Sequence, residues 1–137
     1  MVSAGRLCQS RLVSGAAPII CLVDDDPSVL KSLGRLLAAE GYALLSFSDP
    51  AEFIKHAASH PVPLVVVDFK MPGLTGLQVQ NCLHSLSPDT RVIIISASDD
   101  PQLRASALAG GARAFFQKPF NKDEFLAAVG HSLASRG

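Results

Sequence analysis

The chain has 137 residues, the length of one compact domain. It is 48% hydrophobic and 18% charged, apolar enough to build a core, which excludes wholesale disorder. Twelve Lys and Arg balance twelve Asp and Glu, so no general field exists to hold nucleic acid or an anionic membrane, and no apolar run approaches the roughly 18 to 20 residues that cross a bilayer.

Residues 1–17 carry Arg6 and Arg11, no acid, three Ser and two Gly, and no run long enough for a signal peptide. They read as a flexible leader, an appended remnant or a weak organelle-targeting sequence, with one domain expected over residues 18–135. From Pro18 a single rhythm repeats five times: a short apolar run, a turn, then a helix-period segment. The first strand is Ile19 to Val23. Asp26 before Pro27 opens a helix, since an Asp side chain caps free amides and Pro suits the first helical position. Val29, Leu30, Leu33, Leu36 and Leu37 give that helix one apolar face, and Gly41 closes it. The second strand runs from about Ala43 to Phe47, and Asp49-Pro50-Ala51-Glu52 has capping-box spacing at the start of its helix.

The third strand is Leu64 to Val67, ending on Asp68. A Met71-Pro72-Gly73 loop follows, and Thr75 caps a helix carrying Leu77, Val79, Cys82 and Leu83. The fourth strand is Val92 to Ile95, ending on Ser96, with a helix from about Pro101 to Ala109. The fifth is Ala112 to Phe116, followed by Lys118-Pro119 and a last helix opened by Asn121 with Glu124 three residues on. Runs such as Val92-Ile93-Ile94-Ile95 do not alternate, so these strands are expected to be buried on both faces. Strands that alternate with helices mean a parallel sheet, doubly wound in the α/β class, with ligands beyond the strands' carboxyl ends.

Cys8, Cys21 and Cys82 are odd in number and form no CxxC pair, which favours a reducing compartment such as the cytoplasm. His56 and His60 lie four apart and can share a helix face, but no second pair of ligands accompanies them, so they read as solvated rather than zinc-binding.

The carboxyl ends of the strands hold a short series of polar groups: Asp24 and Asp25 after the first, Asp68 after the third, Ser96 after the fourth, Lys118 after the fifth. Two carboxylates about 5 Å apart repel by roughly 3 kcal/mol at an effective dielectric near 20. Three together must raise a pKa or hold a cation, and hard oxygen ligands suit Mg²⁺ or Mn²⁺. Acids, a hydroxyl and an ammonium beside a divalent ion are the equipment of phosphoryl transfer, and a carboxylate can be the nucleophile.

Four motifs carry a resemblance: Leu22-Val23-Asp24-Asp25-Asp26; Val66-Val67-Asp68-Phe69-Lys70-Met71-Pro72-Gly73 with Gly76; Ile94-Ile95-Ser96-Ala97; and Phe115-Phe116-Gln117-Lys118-Pro119-Phe120. In this order the chain resembles the receiver domains of two-component response regulators over roughly residues 18–135. The resemblance implies a flavodoxin-like sheet in the order 2-1-3-4-5. It further implies Asp68 as phosphoacceptor, Mg²⁺ held by Asp24, Asp25, Asp68 and the Lys70 backbone carbonyl, Lys118 paired with the phosphoryl group through a cis Lys118-Pro119 junction, and Ser96 bonded to a phosphoryl oxygen. Phe115 is implied as the switching aromatic, and the face of helix four, strand five and helix five as the partner or homodimer surface. The implied donor is a phosphohistidine on a sensor histidine kinase or histidine phosphotransfer protein.

Asp26 reads as a helix cap rather than a ligand. Phe115 and Phe116 point to opposite faces, so either is also compatible with plain core. Arg113 stands where some DNA-binding subfamilies carry an acid, which makes their salt-bridged dimer face doubtful here. Lys70 and Ser98, each two residues past a site residue, are expected to tune phosphoryl loss. Two rivals exist. Asp24-Asp25-Asp26-Pro27-Ser28 also fits the DxDxS pattern of haloacid dehalogenase-type phosphatases, with Asp24 as nucleophile and Asp26 as acid–base, but that fold wants a further acidic pair and leaves Asp68 unused. The other is a receiver-like interaction module that never takes phosphate. No helix-turn-helix, basic stripe or catalytic module is legible beyond the receiver, which fits a stand-alone regulator or a piece of a transcription factor or hybrid kinase.

Overall fold

Five apolar runs become five parallel strands: β1 (Ile19–Val23), β2 (Ala43–Phe47), β3 (Leu64–Asp68), β4 (Arg91–Ser96) and β5 (Ala114–Gln117). The computed structural model describes residues 18–98 and 100–134, and the backbone of residues 10, 11, 13 and 14. Those four pair as a short antiparallel ladder, Ser10 opposite Ser14 and Arg11 opposite Val13. The rest of the leader expected over residues 1–17 lies outside the described residues. The strands lie in the order β2-β1-β3-β4-β5, the order expected.

Five helices connect or follow them: α1 (Pro27–Ala38), α2 (Pro50–Ser59), α3 (Gly76–Leu86), α4 (Pro101–Ala109) and α5 (Lys122–Ala134). The three central strands are buried on both sides because alternate residues feed two cores. Ile20, Leu22, Leu64, Val66, Ile93 and Ile95 pack against Leu33 and Leu37 of α1 and Phe125 and Val129 of α5. Cys21, Val23, Val65, Val67, Val92 and Ile94 face the other way, onto Phe53 of α2, Val79 and Leu83 of α3, and Leu103 and Ala107 of α4. The helices therefore divide two and three between the faces. At one edge, β2 leaves Leu45 40% exposed.

Local chemistry departs from the sequence reading in three places. The capping box is on α3, where Thr75 and Gln78 exchange side-chain and backbone bonds, and not on α2. At α2 the Asp49 carboxylate accepts from Ala51 N, so the cap is made by Asp49 alone. Strand β5 begins at Ala114 and not at Ala112, because Ala112 N is still bonded back to Ala107 O at the end of α4. Finally, the apolar face read on α3 holds a buried Gln80, while Cys82 is only half-buried. Among the described residues no helix is long and apolar enough to cross a membrane.

Candidate functional site

Parallel strands deliver their last residues to one edge, and the register decides which meet. Val23 is opposite Val67, so Asp24, one residue on, comes beside Asp68. The Asp24 amide donates to Phe47 O, which carries β1 one bond beyond its last paired residue. Asp68 is opposite Ile95, placing Ser96 one position further along the next strand, and Ser96 O accepts from Lys118 N at 2.7 Å. Three neighbouring strands thus set the backbone positions of Asp24, Asp68 and Ser96, and β5 adds Lys118.

The side chains converge. One carboxylate oxygen from each of Asp24, Asp25 and Asp68 lies within 4.8 Å of the others. Asp24 and Asp68 are buried, 1% and 6% exposed, while Asp25 is exposed at the rim. Lys118 Nζ reaches both buried acids, 3.1 Å from Asp24 Oδ2 and 3.4 Å from Asp68 Oδ1. Burial, and then the neighbouring Asp24 charge, push the Asp68 carboxyl above its usual range. Burial alone would lower the Lys118 ammonium; the bond to Asp24 and the charge of Asp68 outweigh it and hold it above the ordinary lysine value. One ammonium does not neutralise three carboxylates. The set has room and charge for a hard divalent cation with open positions left for water.

The loop after β3 is shaped to keep Asp68 in place. Gly73 has φ 93°, which other residues rarely adopt. Gly76 starts α3 against the strand end: a Cβ there would lie 3.0 Å from both Asp68 O and Phe69 Cα, so any larger residue would have to push helix and strand end apart. Gly76 N donates to Phe69 O at 2.8 Å. Lys70 lies exposed on the same loop, and the Lys118–Pro119 bond is cis.

Asp26 does not join the cluster's work. Its Oδ1 accepts from Ser28 N at 2.9 Å and Ser28 Oγ at 2.8 Å, and those bonds hold its carboxyl below the usual range. An acid committed to capping α1 and held ionised makes a poor proton donor, which removes the acid–base that the phosphatase reading needs. Ser96 is buried, its Oγ accepting from Ser98 N at 3.0 Å. Phe115 sits inward, 4% exposed, with the Arg104 guanidinium 5.2 Å above its ring. The histidine pair is not a chelate: the His56 and His60 rings stack at 4.4 Å and 4°, so their in-plane lone pairs run side by side and do not converge.

Comparison with known proteins gives the same answer. The family described as response regulator receiver domain matches residues 20–130. The response regulator protein TodT of Pseudomonas putida is 33% identical over 128 residues, 92% of this chain and 56% of that protein. The chain spans about half the length of the curated relatives it matches. The solution structure of the beryllofluoride-activated NtrC4 receiver domain dimer superposes with a TM-score of 0.82 at 28% identity, covering 87% of this chain and 98% of that one. The response regulator TrrA of Thermotoga maritima, crystallised in complex with Mg²⁺ and beryllofluoride, gives 0.76 at 30% identity over 85% of this chain and 99% of that one. With strand order, acidic cluster and family match in agreement, the chain belongs to the receiver domains of two-component response regulators.

Proposed function

We propose that this chain accepts a phosphoryl group on Asp68 from a phosphohistidine of a sensor histidine kinase or histidine phosphotransfer protein, in the cytoplasm, with residues 18–135 as the working unit. The observation that carries the proposal is the cluster itself: three carboxylates within 4.8 Å, the two buried ones bridged by one lysine. Asp24, Asp25 and Asp68, with the Lys70 carbonyl, are the groups to hold Mg²⁺ or Mn²⁺, a fit supported by their all-oxygen donor set. When bound, the ion supplies positive charge against the phosphoryl oxygens.

The rest is done by the chain. An Asp68 carboxylate oxygen attacks phosphorus as the phosphorus–nitrogen bond of the donor breaks and its electron pair returns to the imidazole. An acyl phosphate is left on Asp68. Lys118 exchanges its bond to Asp68 for one to a phosphoryl oxygen, with its second carboxylate contact, to Asp24, keeping it in place. Ser96 turns its hydroxyl toward the same group, the loop after β4 follows, and Phe115 and the α4–β5–α5 face respond as a population shift. That face is the one offered to a partner or a second copy; the activated NtrC4 receiver, a dimer, supports such use. The chemistry is limited to the domain's own phosphorylation and dephosphorylation.

Intact mass after incubation with acetyl phosphate and Mg²⁺ tests this. Wild type should gain one phosphoryl group and Asp68→Ala none. A wild type that binds Mg²⁺ yet takes no label favours the interaction module, and label retained in Asp68→Ala overturns the site.

A further inference from the structure

Gln80 is the one amide side chain sealed into the core on the α2–α3–α4 side among the described residues, 2% exposed. Burial of an amide is unfavourable unless it is bonded. Its Nε2 crosses from α3 to donate to Ala107 O at 3.1 Å. One turn further along α3, His84 Nε2 lies 2.8 Å from Gly110 O, and since a carbonyl only accepts, His84 is the donor. Ala107 and Gly110 belong to the last turn and cap of α4, where helix carbonyls lack partners within their own helix. Gly110 makes the fit: a Cβ there would lie 3.1 Å from Gln80 Oε1.

The first turn of α4 is held otherwise. Ser96 Oγ accepts from Ser98 N at 3.0 Å, Ser98 Oγ from Asp100 N at 3.2 Å, and Asp100 Oδ1 from Gln102 N at 2.9 Å. This chain of side-chain bonds runs from Ser96 directly to the start of the helix. Beside it lies a cavity of about 650 Å³ lined by Phe69, Lys70, Ser96, Gln102, Leu103 and Ser106. Both ends of α4 border open space, the carboxyl end a cavity of about 680 Å³ lined in part by Gln80, His84 and Gly111. Only the carboxyl end is bonded to α3; the other is tied to Ser96.

We infer that Gln80 and His84 are positioning residues that clamp the last turn of α4 to α3, so that α4 answers a change at Ser96 by pivoting about its carboxyl end. The clamp itself stands on the structure alone; its use in switching rests on the receiver reading above. A lever with a fixed fulcrum moves its first turn most, which confines the change to the end nearest the phosphorylated carboxylate. Without the clamp the whole helix drifts.

Amide hydrogen exchange over residues 96–112 tests both parts, in wild type, Gln80→Leu, His84→Ala and His84→Gln, with and without Mg²⁺ and beryllofluoride. Without additives, each clamp-breaking variant should speed exchange of residues 106–112 about tenfold while β1 and β3 stay protected, and His84→Gln, which keeps a donor, should recover most of the protection. With additives, changes in wild type should stay within residues 96–104, and in Gln80→Leu they should spread through 106–112. Unchanged protection at 106–112 in the clamp-breaking variants, or a wild type in which 106–112 respond as strongly as 96–104, overturns the inference. Should Gln80→Leu unfold, the exposed His84→Ala decides the first arm. If the additives move nothing in wild type, the receiver reading fails, while the first arm still judges the clamp.

Discussion

The helices on either side of β5 are held very unequally. On one side α5 buries Phe125, whose ring meets Phe116 at 5.6 Å and Phe120 at 4.9 Å, and adds Val129 to the same core. On the other, α4 has nine residues and buries only Leu103 and Ala107, with Phe115 beneath it. Adjacent residues of one strand thus serve two different purposes. Phe116 anchors a rigid wall, whereas Phe115 lies under a lightly packed helix whose first turns border a cavity. A switch needs a movable part on a fixed frame, and β5 is the boundary between them.

This comparison can be broken from either side. Phe125→Ala should cost the most, about 3–5 kcal/mol in urea denaturation, with unfolding still a single transition because the frame itself is damaged. Leu103→Ala should cost less, about 2 kcal/mol, and its loss of amide protection should concentrate on α4 while α5 is spared. Gly76→Ala should cost about 1–3 kcal/mol, since its Cβ meets backbone and not a side chain able to yield, and it should also slow labelling of Asp68 by acetyl phosphate.

Asp68→Asn should work in the opposite direction. The folded pKa of Asp68 lies above the unfolded one, so its favourable contribution is complete below the unfolded pKa and is lost as pH rises through the folded value. In metal-free protein at pH 7 to 8, the neutral variant should melt higher than wild type, by about 3 °C, and the gap should close below about pH 4. A variant that melts lower at neutral pH would show that the Lys118 contact outweighs the burial of Asp68. Arg104→Ala should do least, at most about 1 kcal/mol, but it should broaden the Phe115 ring resonances while leaving those of Phe116 sharp.

Where β-strands and their terminal acids are concerned, nearly everything was legible, because continuous runs such as Val65-Val66-Val67 identify two-sided burial and the register then brings Asp24 to Asp68. The four motifs mark these same residues at the ends of the same strands. Boundaries were harder: Ala112 looks like strand by its neighbours, yet its amide belongs to the end of α4. The capping side chains Asp26, Asp49, Thr75 and Asn121 are legible, but the reciprocal bond that makes a box is not. Asp49 and Glu52 have the spacing of a box as good as that of Thr75 and Gln78, and spacing does not reveal which side chain turns back. Least legible were Gln80 and His84. Their partners lie 27 and 26 residues away, across two different helices, and no local period encodes such a meeting.

The outer edge of β2 has a consequence for handling the protein. Its five residues, Ala43-Leu44-Leu45-Ser46-Phe47, carry no charge and no proline, and one side of the strand pairs with nothing in the sheet. Such an edge is a template for strand addition, and Leu45 offers the incoming chain an apolar contact. The guards stand outside it: Glu40 and Gly41 before, Asp49 and Pro50 after. They shorten the template without blocking it. Concentrated samples are therefore expected to self-associate first through β2, and a single lysine at position 45 should raise the concentration they tolerate.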